Sequence, residues 1–458
     1  MHPIYKVAAH TDNVGPGTTF VAIKGLTGDG VQYIAQAVDK GATTVVVGRD
    51  VVVPELSHHV VVVRVDNPRK ALAQLSAQAY KYPARQLKIL GVTGTKGKTT
   101  SVYLMRYLLE QAGYRVALLS TIENSIAGHV VRAHMTTPQP DYLHYFFDQC
   151  VQQAVDYVVM EVAAQATTFD RLNGITFFGL IFTNLDREHA ELYPTMEDYF
   201  QAKKAIFDHA QSDAVLVVNG DDSYGQRLYT SYQQVHAITA GTQRATDFFV
   251  WQEGSVTFAQ KKYVYKNLPG LFNAYNLAGV IVLLQNLGIT LPAEFGDFPA
   301  IPGRLEKIML TNGACAYIDY AHTPGSFQSL FSTVRAWTDH LIVVFGAGGG
   351  KDRQKRSLMG AIAQEYADLI ILTDDNPRFE DPQLIVQDIL EGITHTDKVI
   401  IQHDRQKALE TAVRISQKDS VILILGKGPD EYQIIGSKKI PFSEKGILQI
   451  YVSNENQI

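Results

Sequence analysis

Short apolar runs alternate with stretches of helical periodicity along most of the chain. Within residues 1–85 this pattern predicts a small α/β domain. The apolar runs predict strands at 20–23, 43–47 and 60–65, and the periodic stretches predict helices at 31–39 and 69–80. The segment ends in the polar, proline-containing sequence KYPARQ, which is typical of a linker.

The alternation continues through residues 86–300 and predicts a mostly parallel sheet with helices on both faces. The stretch 240–268 is rich in Thr, Gln, Phe and Tyr instead and predicts an antiparallel extension of this sheet. In such an architecture, ligands bind beyond the carboxyl ends of the strands. The strand candidates lie at 87–90, 115–119, 157–162, 180–184 and 214–219.

A third unit, residues 301–458, repeats the pattern and predicts a second doubly wound, Rossmann-like sheet. Glycine-rich turns at 346–350 and 426–428 follow two of its apolar runs. The predicted fold class is therefore α/β, with three domains at 1–85, 86–300 and 301–458. The strand candidates of the third unit lie at 316–319, 341–345, 369–373, 399–402 and 421–425.

The stretch Leu87–Ser101, LKILGVTGTKGKTTS, combines a strand, a glycine-rich loop and the start of a helix. Glycines let backbone N–H groups approach an oligophosphate, and a helix N-terminus adds partial positive charge. Lys98 can then reach the terminal phosphates, and Thr99 can hold Mg²⁺. The full Walker spacing has glycine where this chain has Val92, so a glycine-rich turn without a nucleotide is the alternative. The Gly-Lys-Thr-Thr ending favours ATP.

Composition narrows the class of protein. The 458 residues are 46% hydrophobic and 19% charged, as in globular proteins, and the net charge of −5 gives no indication of nucleic-acid binding. Cys150 and Cys315 are far apart in the sequence and suit a reducing compartment. We find no leader-like N-terminus and no uncharged apolar stretch of about 18 residues, so the sequence predicts a cytoplasmic protein without membrane insertion.

Glu161 is the fifth residue of the run YVVMEV, after four apolar residues that predict a strand. A carboxylate at the end of a strand near a phosphate loop is a natural Mg²⁺ ligand, because the metal can bridge phosphate oxygens. A glutamate that simply faces solvent is the alternative interpretation.

The run Phe182–Phe207, FTNLDREHAELYPTMEDYFQAKKAIF, resembles the Mur ligases, the ATP-dependent peptide ligases of cell-wall precursor assembly. Asn184, His189 and Lys203 are among the residues that fall in register with the family pattern. Further matches occur in order along nearly the whole chain. They are GTKGKTT at 94–100, TTP at 136–138, Glu161, LFNAYN at 271–276, PGRLE at 302–306, IDYAHTP at 318–324, DNPR at 375–378, DRQKAL at 404–409 and GKG at 426–428.

This resemblance implies a two-step amide synthesis in three domains. ATP phosphorylates a carboxylate of the UDP-linked muramoyl dipeptide, UDP-N-acetylmuramoyl-L-Ala-D-Glu, and the amine of an incoming amino acid attacks the acyl phosphate. The N-terminal domain would bind the UDP end, the central domain ATP, and the C-terminal domain the amino acid. The chain offers a phosphate loop and metal ligands rather than a nucleophilic triad, which suits phosphoryl transfer. We expect a monomer that binds these substrates, does not bind nucleic acid and does not insert into a membrane.

The resemblance also implies the roles of individual residues on the ATP side. Thr99 and Glu161 would hold one Mg²⁺ and His189 a second, while Lys203 matches a lysine that is carbamylated in the family and so becomes an oxygen ligand. A plain surface lysine and an ordinary hydrogen-bonded histidine are the alternatives for Lys203 and His189. The implied nucleotide contacts are Gly94, Thr95, Gly97, Lys98, Thr99, Thr100, Asn273, Asn276, Arg304 and Asp319, and the implied catalytic residues are Lys98, Glu161, His189 and Lys203.

The implied substrate contacts lie in two groups. Asp375-Asn-Pro-Arg378 resembles the motif of members that add meso-diaminopimelate, in which the arginine pairs with a carboxylate and the aspartate with an ammonium. The same four letters occur at Asp66–Arg69, where we expect them only to open a helix after a strand. The implied acceptor contacts are Thr136, Thr137 and Arg171, and the implied amino-acid contacts are Asp375, Asn376, Arg378, Gly426 and Asp430.

Several substrate motifs depart from the family pattern, whereas the ATP motifs are nearly intact. This chain has His10-Thr11-Asp12 for a family D-S-R, AAQA at 163–166 for S-S-H-A, Glu188 for an aspartate, and Pro429-Asp430 for H-E. Two further hypotheses therefore stay open. One is a Mur-like ligase with another acceptor or amino acid, and the other is a nucleotide-binding Mur-fold protein without efficient turnover.

Overall fold

The computed structural model describes residues 3–25, 28–240, 247–258, 260–296 and 298–452. In this part of the chain, three sheets with flanking helices and one separate two-stranded hairpin form an α/β fold. None of the helices in these ranges is long and apolar enough to cross a membrane.

The first sheet is wholly parallel, with the strand order β1-β2-β3-β4. Helix α2 begins at Pro68 because the Asn67 side chain accepts hydrogen bonds from the backbone N–H groups of Arg69 and Lys70. The first DNPR sequence therefore opens a helix, as expected. The elements are β1 Val7–Ala8, β2 Thr19–Val21, α1 Ile34–Asp39, β3 Thr44–Gly48, β4 Val61–Val65 and α2 Pro68–Ala79.

Twelve strands of the described chain form the second sheet, in the order β16-β15-β14-β13-β12-β11-β10-β5-β9-β6-β7-β8. Its elements are β5 Lys88–Thr93, α3 Lys98–Gln111, β6 Val116–Leu119, β7 Glu123–Ile126, β8 His129–Arg132, α4 Pro140–Gln152, β9 Tyr157–Glu161, α5 Gln165–Thr168, β10 Phe177–Phe182, α6 Met196–Phe207, β11 Ala210–Asn219, α7 Ser223–Ser231, β12 Val235–Ala240, β13 Asp247–Gln252, β14 Ser255–Phe258, β15 Lys261–Tyr265, α8 Leu271–Asn286 and β16 Glu294–Phe295.

Three parallel strands at the centre of this sheet position the phosphate loop and the predicted site residues beside it. Strands β9, β5 and β10 lie side by side, and Val92 pairs with Glu161 while Thr93 pairs with Phe182. Their apolar side chains are buried because helices cover both faces. The phosphate loop and the ends of β9 and β10 therefore meet at one edge.

Antiparallel strands extend the sheet at both ends. The predicted extension within 240–268 is confirmed by β13, β14 and β15, which pair in antiparallel fashion. Residues 241–246 and 259 of that prediction lie outside the described residues. The strand predicted at 180–184 lies at Phe177–Phe182 instead, since Thr183 and Asn184 bond to the phosphate loop.

The third sheet has the order β17-β18-β22-β19-β20-β21 and is parallel except at β17. The five strands predicted for this unit are confirmed, with ends that move by one residue at most. The elements are β17 Glu306–Met309, β18 Cys315–Asp319, α9 Pro324–Val334, β19 Leu341–Phe345, α10 Gln354–Tyr366, β20 Leu369–Leu372, α11 Pro382–Leu390, β21 Val399–Ile401, α12 Arg405–Ile415, β22 Val421–Leu425, β23 Tyr432–Ile435, β24 Lys438–Pro441 and α13 Glu444–Gln449.

The first and third units contact the middle one in different ways. Helix α4 packs on the first unit through the tilted ring pair of Tyr5 and Tyr145, whose centroids are 4.9 Å apart, and the Ala9 N–H donates to Asp141 at 2.9 Å. The third unit makes polar contacts instead, such as His322 to Glu188 at 3.1 Å. The first joint thus includes paired tyrosine rings, whereas the second includes hydrogen bonds and ion pairs besides an apolar contact of Phe272 with the core of the third unit.

Candidate active site

The phosphate loop lies between β5 and α3, and two of its glycines have conformations that favour glycine. Gly94 has a φ of +145°, and Gly97, which precedes α3, has a φ of +85°. A Cβ atom at Gly94 would overlap Oγ1 of Thr183, and one at Gly97 would overlap Oδ1 of Asn276. Val92 is a buried strand residue, so the loop requires no glycine at that position.

Two lysines converge on one carbonyl of this loop. Nζ of Lys98 donates to the carbonyl oxygens of Gly94 at 2.8 Å and Thr95 at 2.9 Å. Nζ of Lys203, on helix α6, donates to the same Gly94 oxygen at 2.8 Å. The Nζ atoms of two lysines therefore lie against the same backbone oxygen of the loop.

Lys203 is not a surface lysine, because its exposed fraction is only 1%. Burial, together with repulsion from Lys98, holds the pKa of the Lys203 amine well below its ordinary value. Among the described side chains, no carboxylate forms an ion pair with Lys203 in the structure, although Nζ lies 4.5 Å from the centre of the Tyr199 ring.

Glu161 is fully buried, so the solvent-facing alternative is wrong. Its Oε1 accepts from the Thr121 N–H at 2.8 Å, and its Oε2 accepts from the Thr121 hydroxyl at 3.0 Å. Oγ1 of Thr136 lies 3.1 Å from the same Thr121 oxygen, which can accept the Thr136 hydroxyl proton. The carboxylate is thereby fixed at the end of β9, facing the loop.

The predicted acceptor contacts join this network. Oγ1 of Thr137 donates to the Glu161 carbonyl at 3.0 Å, and Nη1 of Arg171 donates to the Thr137 carbonyl at 2.6 Å. Burial and the neighbouring Arg69 lower the pKa of Arg171 to about 10, and its Nε has no hydrogen-bond partner among the described residues. A buried guanidinium with a free N–H group suits an anionic ligand.

His189 occupies a strained position, with a φ of +58°. Its Nδ1 lies 3.5 Å from Oε1 of Glu191, and burial lowers its pKa. The ring borders the cavity of the phosphate loop as well as the cavity beside the DNPR loop.

The donors at the loop fit Mg²⁺. Within the described ranges, no three His, Cys, Asp or Glu side chains cluster closely enough to bind a metal by themselves. Protein-bound Mg²⁺ usually takes one or two carboxylates together with phosphate oxygens and water. Glu161 and Thr99 supply such hard oxygen donors to one cavity, so they suit a metal ion that arrives with the nucleotide.

Predicted nucleotide contacts on α8 and in the third unit line the same cavity as the phosphate loop. Nδ2 of Asn273 donates to the Pro269 carbonyl at 2.8 Å. Nη2 of Arg304 donates to Oγ1 of Thr99 at 3.0 Å, which joins the third unit to the phosphate loop. Asp319 accepts from the N–H groups of Leu305 and Ala321, both at 2.8 Å, so it holds the segment that carries Arg304.

These groups border one cavity of about 1110 Å³ between the middle and third sheets. Gly94 and Lys203 lie just outside its lining. The predicted residues in the lining are Thr95, Gly97, Lys98, Thr99, Thr100, Thr136, Thr137, Glu161, Arg171, His189, Asn273, Asn276, Arg304 and Asp319.

A second cavity, of about 220 Å³, lies at the carboxyl ends of the third sheet. Nη1 of Arg378 donates to the Gly349 carbonyl at 3.0 Å, and its φ of +55° turns the chain there. The predicted residues in this lining are Asp375, Asn376, Arg378, Gly426 and Asp430, together with His189. The two cavities share Glu188, His189, Tyr320, His322, Thr323 and Lys351.

Sequence reasoning assigned no role to several residues that the structure places here. Nζ of Lys427 is buried and donates to Oδ1 of Asp375 at 3.3 Å and to Oδ1 of Asn376 at 3.2 Å. Arg405 holds the start of the same loop and of the GKG turn through the carbonyls of Asp374 and Leu425. Both residues belong to the matched motifs GKG and DRQKAL, and that position was the available signal.

Three domain models of one protein family match successive parts of the chain. The Mur ligase family catalytic domain matches residues 3–80, the Mur ligase middle domain matches 92–284, and the Mur ligase glutamate ligase domain matches 303–428. These three matches follow one another along the chain and together include the described strands of all three sheets except β16 and the start of β5.

Relatives that align over nearly their full length support the same family. The UDP-N-acetylmuramoyl-L-alanyl-D-glutamate–2,6-diaminopimelate ligase of Clostridium botulinum is 37% identical, over 97% of this chain and 94% of its own. The enzyme of that name from Aquifex aeolicus is 36% identical, over 97% and 92%. A solved structure of a ligase of that name has a TM-score of 0.64 at 26% identity, covering 98% of this chain and 95% of the other. Since the relatives and the domain matches agree over nearly the whole length, this protein belongs to the Mur ligase family.

Proposed function

We propose that this enzyme adds meso-2,6-diaminopimelate to UDP-N-acetylmuramoyl-L-Ala-D-Glu in an ATP-dependent step of peptidoglycan precursor synthesis. The observation that carries the proposal is the pair of adjoining cavities with a common wall. One contains the phosphate loop and Arg171, and the other contains the DNPR loop. An acyl phosphate made in the first can therefore meet an amine held in the second. The relatives from C. botulinum and A. aeolicus carry the name of this reaction.

In the first step, a carboxylate oxygen of the acceptor attacks the γ-phosphorus of ATP and the bond to the β-phosphate oxygen breaks, giving ADP and an acyl phosphate. Lys98 and the loop N–H groups neutralise charge on the transferred phosphoryl group. Bound Mg²⁺, held by Thr99 and Glu161, would supply further charge neutralisation. Arg304 reaches the loop only from the third unit, so it contributes when the domains are together.

In the second step, the uncharged amine of the amino acid attacks the acyl carbon, inorganic phosphate leaves, and the nitrogen loses a proton as the amide forms. Arg171 orients the acceptor through its free Nε, and Thr136 and Thr137 border the same region.

We also propose that Lys203 is carbamylated, which would turn its amine into an oxygen ligand near the metal. A buried ammonium without an ion pair among the described carboxylates is costly, whereas a neutral amine nitrogen bonds to the carbon of carbon dioxide and releases a proton, which leaves a carbamate anion beside Lys98. His189 would serve a second Mg²⁺ from the common wall of the cavities.

Asp375 and Arg378 would select the distal amino-acid centre of diaminopimelate. Lys427 engages Oδ1 of Asp375, which leaves Oδ2 toward Gly426 for an ammonium group. Asn376, Gly426 and Asp430 complete this pocket.

The proposal also assigns UDP binding to residues 1–85, ATP binding to 86–300 and amino-acid binding to 301–458. It further describes a cytoplasmic monomer, because one chain supplies both cavities and both cysteines are free thiols.

A phosphate-release assay tests the reaction. The purified protein is given ATP, Mg²⁺, UDP-N-acetylmuramoyl-L-Ala-D-Glu and one amino acid of a panel that includes diaminopimelate, lysine and ornithine. We expect release that depends on the dipeptide and on diaminopimelate. Release with another acceptor or amino acid only would show a different ligase, and nucleotide binding without release under any pairing would show a protein without turnover.

Arg378→Ala should raise the KM for diaminopimelate by about a hundredfold, because a charge-assisted pair with the distal carboxylate is lost. The KM for ATP should stay unchanged, since Arg378 borders only the second cavity. Steady-state kinetics with each substrate varied in turn measure both constants.

The first DNPR copy provides the matched control for this prediction. Arg69→Ala removes an arginine from the same four-residue sequence, but its side chain donates to the Lys24 carbonyl in the first unit. That variant should retain the wild-type KM for diaminopimelate. If Arg378→Ala also retains it, the amino acid binds elsewhere.

A further inference from the structure

Lys96 is a phosphate-loop residue without a role in the proposed chemistry. Its Nζ lies 2.5 Å from Oδ2 of Asp186, which follows strand β10. Both side chains are partly exposed, at 29% and 40%. Such a pair contributes little to stability by itself, so its position is the more informative feature.

The pair belongs to a dense set of hydrogen bonds between two loops. The Lys96 N–H donates to Oδ1 of Asn184 at 3.0 Å, and the Thr95 N–H donates to the Asn184 carbonyl at 2.9 Å. The Asp186 N–H donates to Oγ1 of Thr95 at 3.0 Å. A displacement of Asp186 therefore reaches the backbone that cradles phosphate.

Helix α9 of the third unit contacts this pair at Gly325. A Cβ atom there would overlap Oδ2 of Asp186 and would lie 2.7 Å from Nζ of Lys96. Gly325 is in the first turn of the helix, after the N-cap Thr323, so the Asp186 carboxylate meets the positive end of the helix dipole. The contact thus combines a close steric fit with favourable charge.

We propose that the Lys96–Asp186 pair is the seat on which α9 docks, and that Gly325 is the residue that fits this seat. Docking there sets the distance between the phosphate loop and the third unit, which also carries Arg304. Lys96, Asp186 and Gly325 are positioning residues, because they act on the reaction through the phosphate loop and the contact between domains. The inference rests on the proposed ligase reaction for its kinetic readout only.

Gly325→Ala should lower kcat by about tenfold, because a small misplacement of the docked domain separates reacting groups. The KM for ATP should change by less than about threefold, since the phosphate loop alone supplies most of the binding. Alanine has the higher helix propensity, so thermal unfolding should not shift downward. Gly279→Ala in α8 is the matched control, because its added Cβ would make only ordinary contacts, the nearest at 3.5 Å, and its kcat should stay within about twofold of wild type.

A double-mutant cycle tests whether the effect of Gly325→Ala on kcat depends on the Asp186 side chain. In the Asp186→Ala background the carboxylate is gone and Lys96 is free to move, so adding Gly325→Ala should change kcat by less than about twofold. In the Asp186→Asn background the shape of the side chain remains, so Gly325→Ala should still lower kcat by about tenfold.

Small-angle X-ray scattering should show compaction of the wild-type protein with a non-hydrolysable ATP analogue and Mg²⁺, and weaker compaction of Gly325→Ala.

Wild-type kcat and wild-type compaction in Gly325→Ala would overturn the inference. So would an equal loss from Gly325→Ala in the Asp186→Ala background. If the wild-type protein releases no phosphate with the muramoyl dipeptide and diaminopimelate, the proposed function fails, whereas the scattering comparison still decides whether α9 docks on this seat.

Discussion

Lys98→Ala is expected to lower kcat by about a thousandfold, because the phosphoryl group would lose its nearest cationic side chain. In the structure, Nζ of Lys98 lies over the loop and contacts the carbonyls of Gly94 and Thr95. Its side chain borders the cavity and is not packed in a core cluster, so the fold should survive. Phosphate release and circular dichroism of the same preparation measure both effects.

Lys88→Ala is the control for this variant. Lys88 begins the same strand, β5, at the end away from the loop, and it is exposed. The control enzyme should work at the wild-type rate. Undiminished ligation by Lys98→Ala would disprove the ATP site.

Lys203→Ala is expected to lower kcat by about a hundredfold or more, because the carbamate oxygens proposed at this position would be lost. Added formate or acetate should restore about a tenth of the lost rate by placing a carboxylate in the vacated space. Lys204→Ala, on the same helix, should neither lose activity nor respond to carboxylates.

The modification has its own readout besides activity. Carbon-13 NMR of the wild-type protein in labelled bicarbonate should show a carbamate resonance that is absent from Lys203→Ala. A Lys203→Ala enzyme of wild-type rate would exclude the catalytic role. Lost activity without rescue, and without a carbamate resonance in the wild-type protein, would mean that the plain amine supports the loop.

The sequence predicted the parallel strands well because buried parallel strands are continuous apolar runs. The strand at 341–345 is fully buried and was placed at its observed limits. Short antiparallel elements were missed for the opposite reason. All four residues of β8, and all four of β24, are exposed, so their side chains carry no burial pattern that periodicity could detect.

For the candidate site, motif matching identified residues that the structure gathers in two cavities, but it could not show how they are held. The contact between Arg304 and Thr99 joins residues far apart in the sequence. Lys203 differs from its neighbour Lys204 in being fully buried, and that burial depends on how α6 packs beneath the phosphate loop. Gly325 gave no signal at all, because its significance lies in two side chains of another domain.

The different character of the two domain joints has a practical consequence for crystallisation. The first joint is built from tyrosine rings, and excluded salts such as sulfate strengthen the burial of apolar surface. The other joint includes exposed ion pairs such as Arg132 with Glu431 and Lys351 with Glu191, which mobile ions screen over about 3 Å in molar salt. Concentrated ammonium sulfate should therefore favour crystals with the third domain swung away, whereas polyethylene glycol at low ionic strength should favour the closed form.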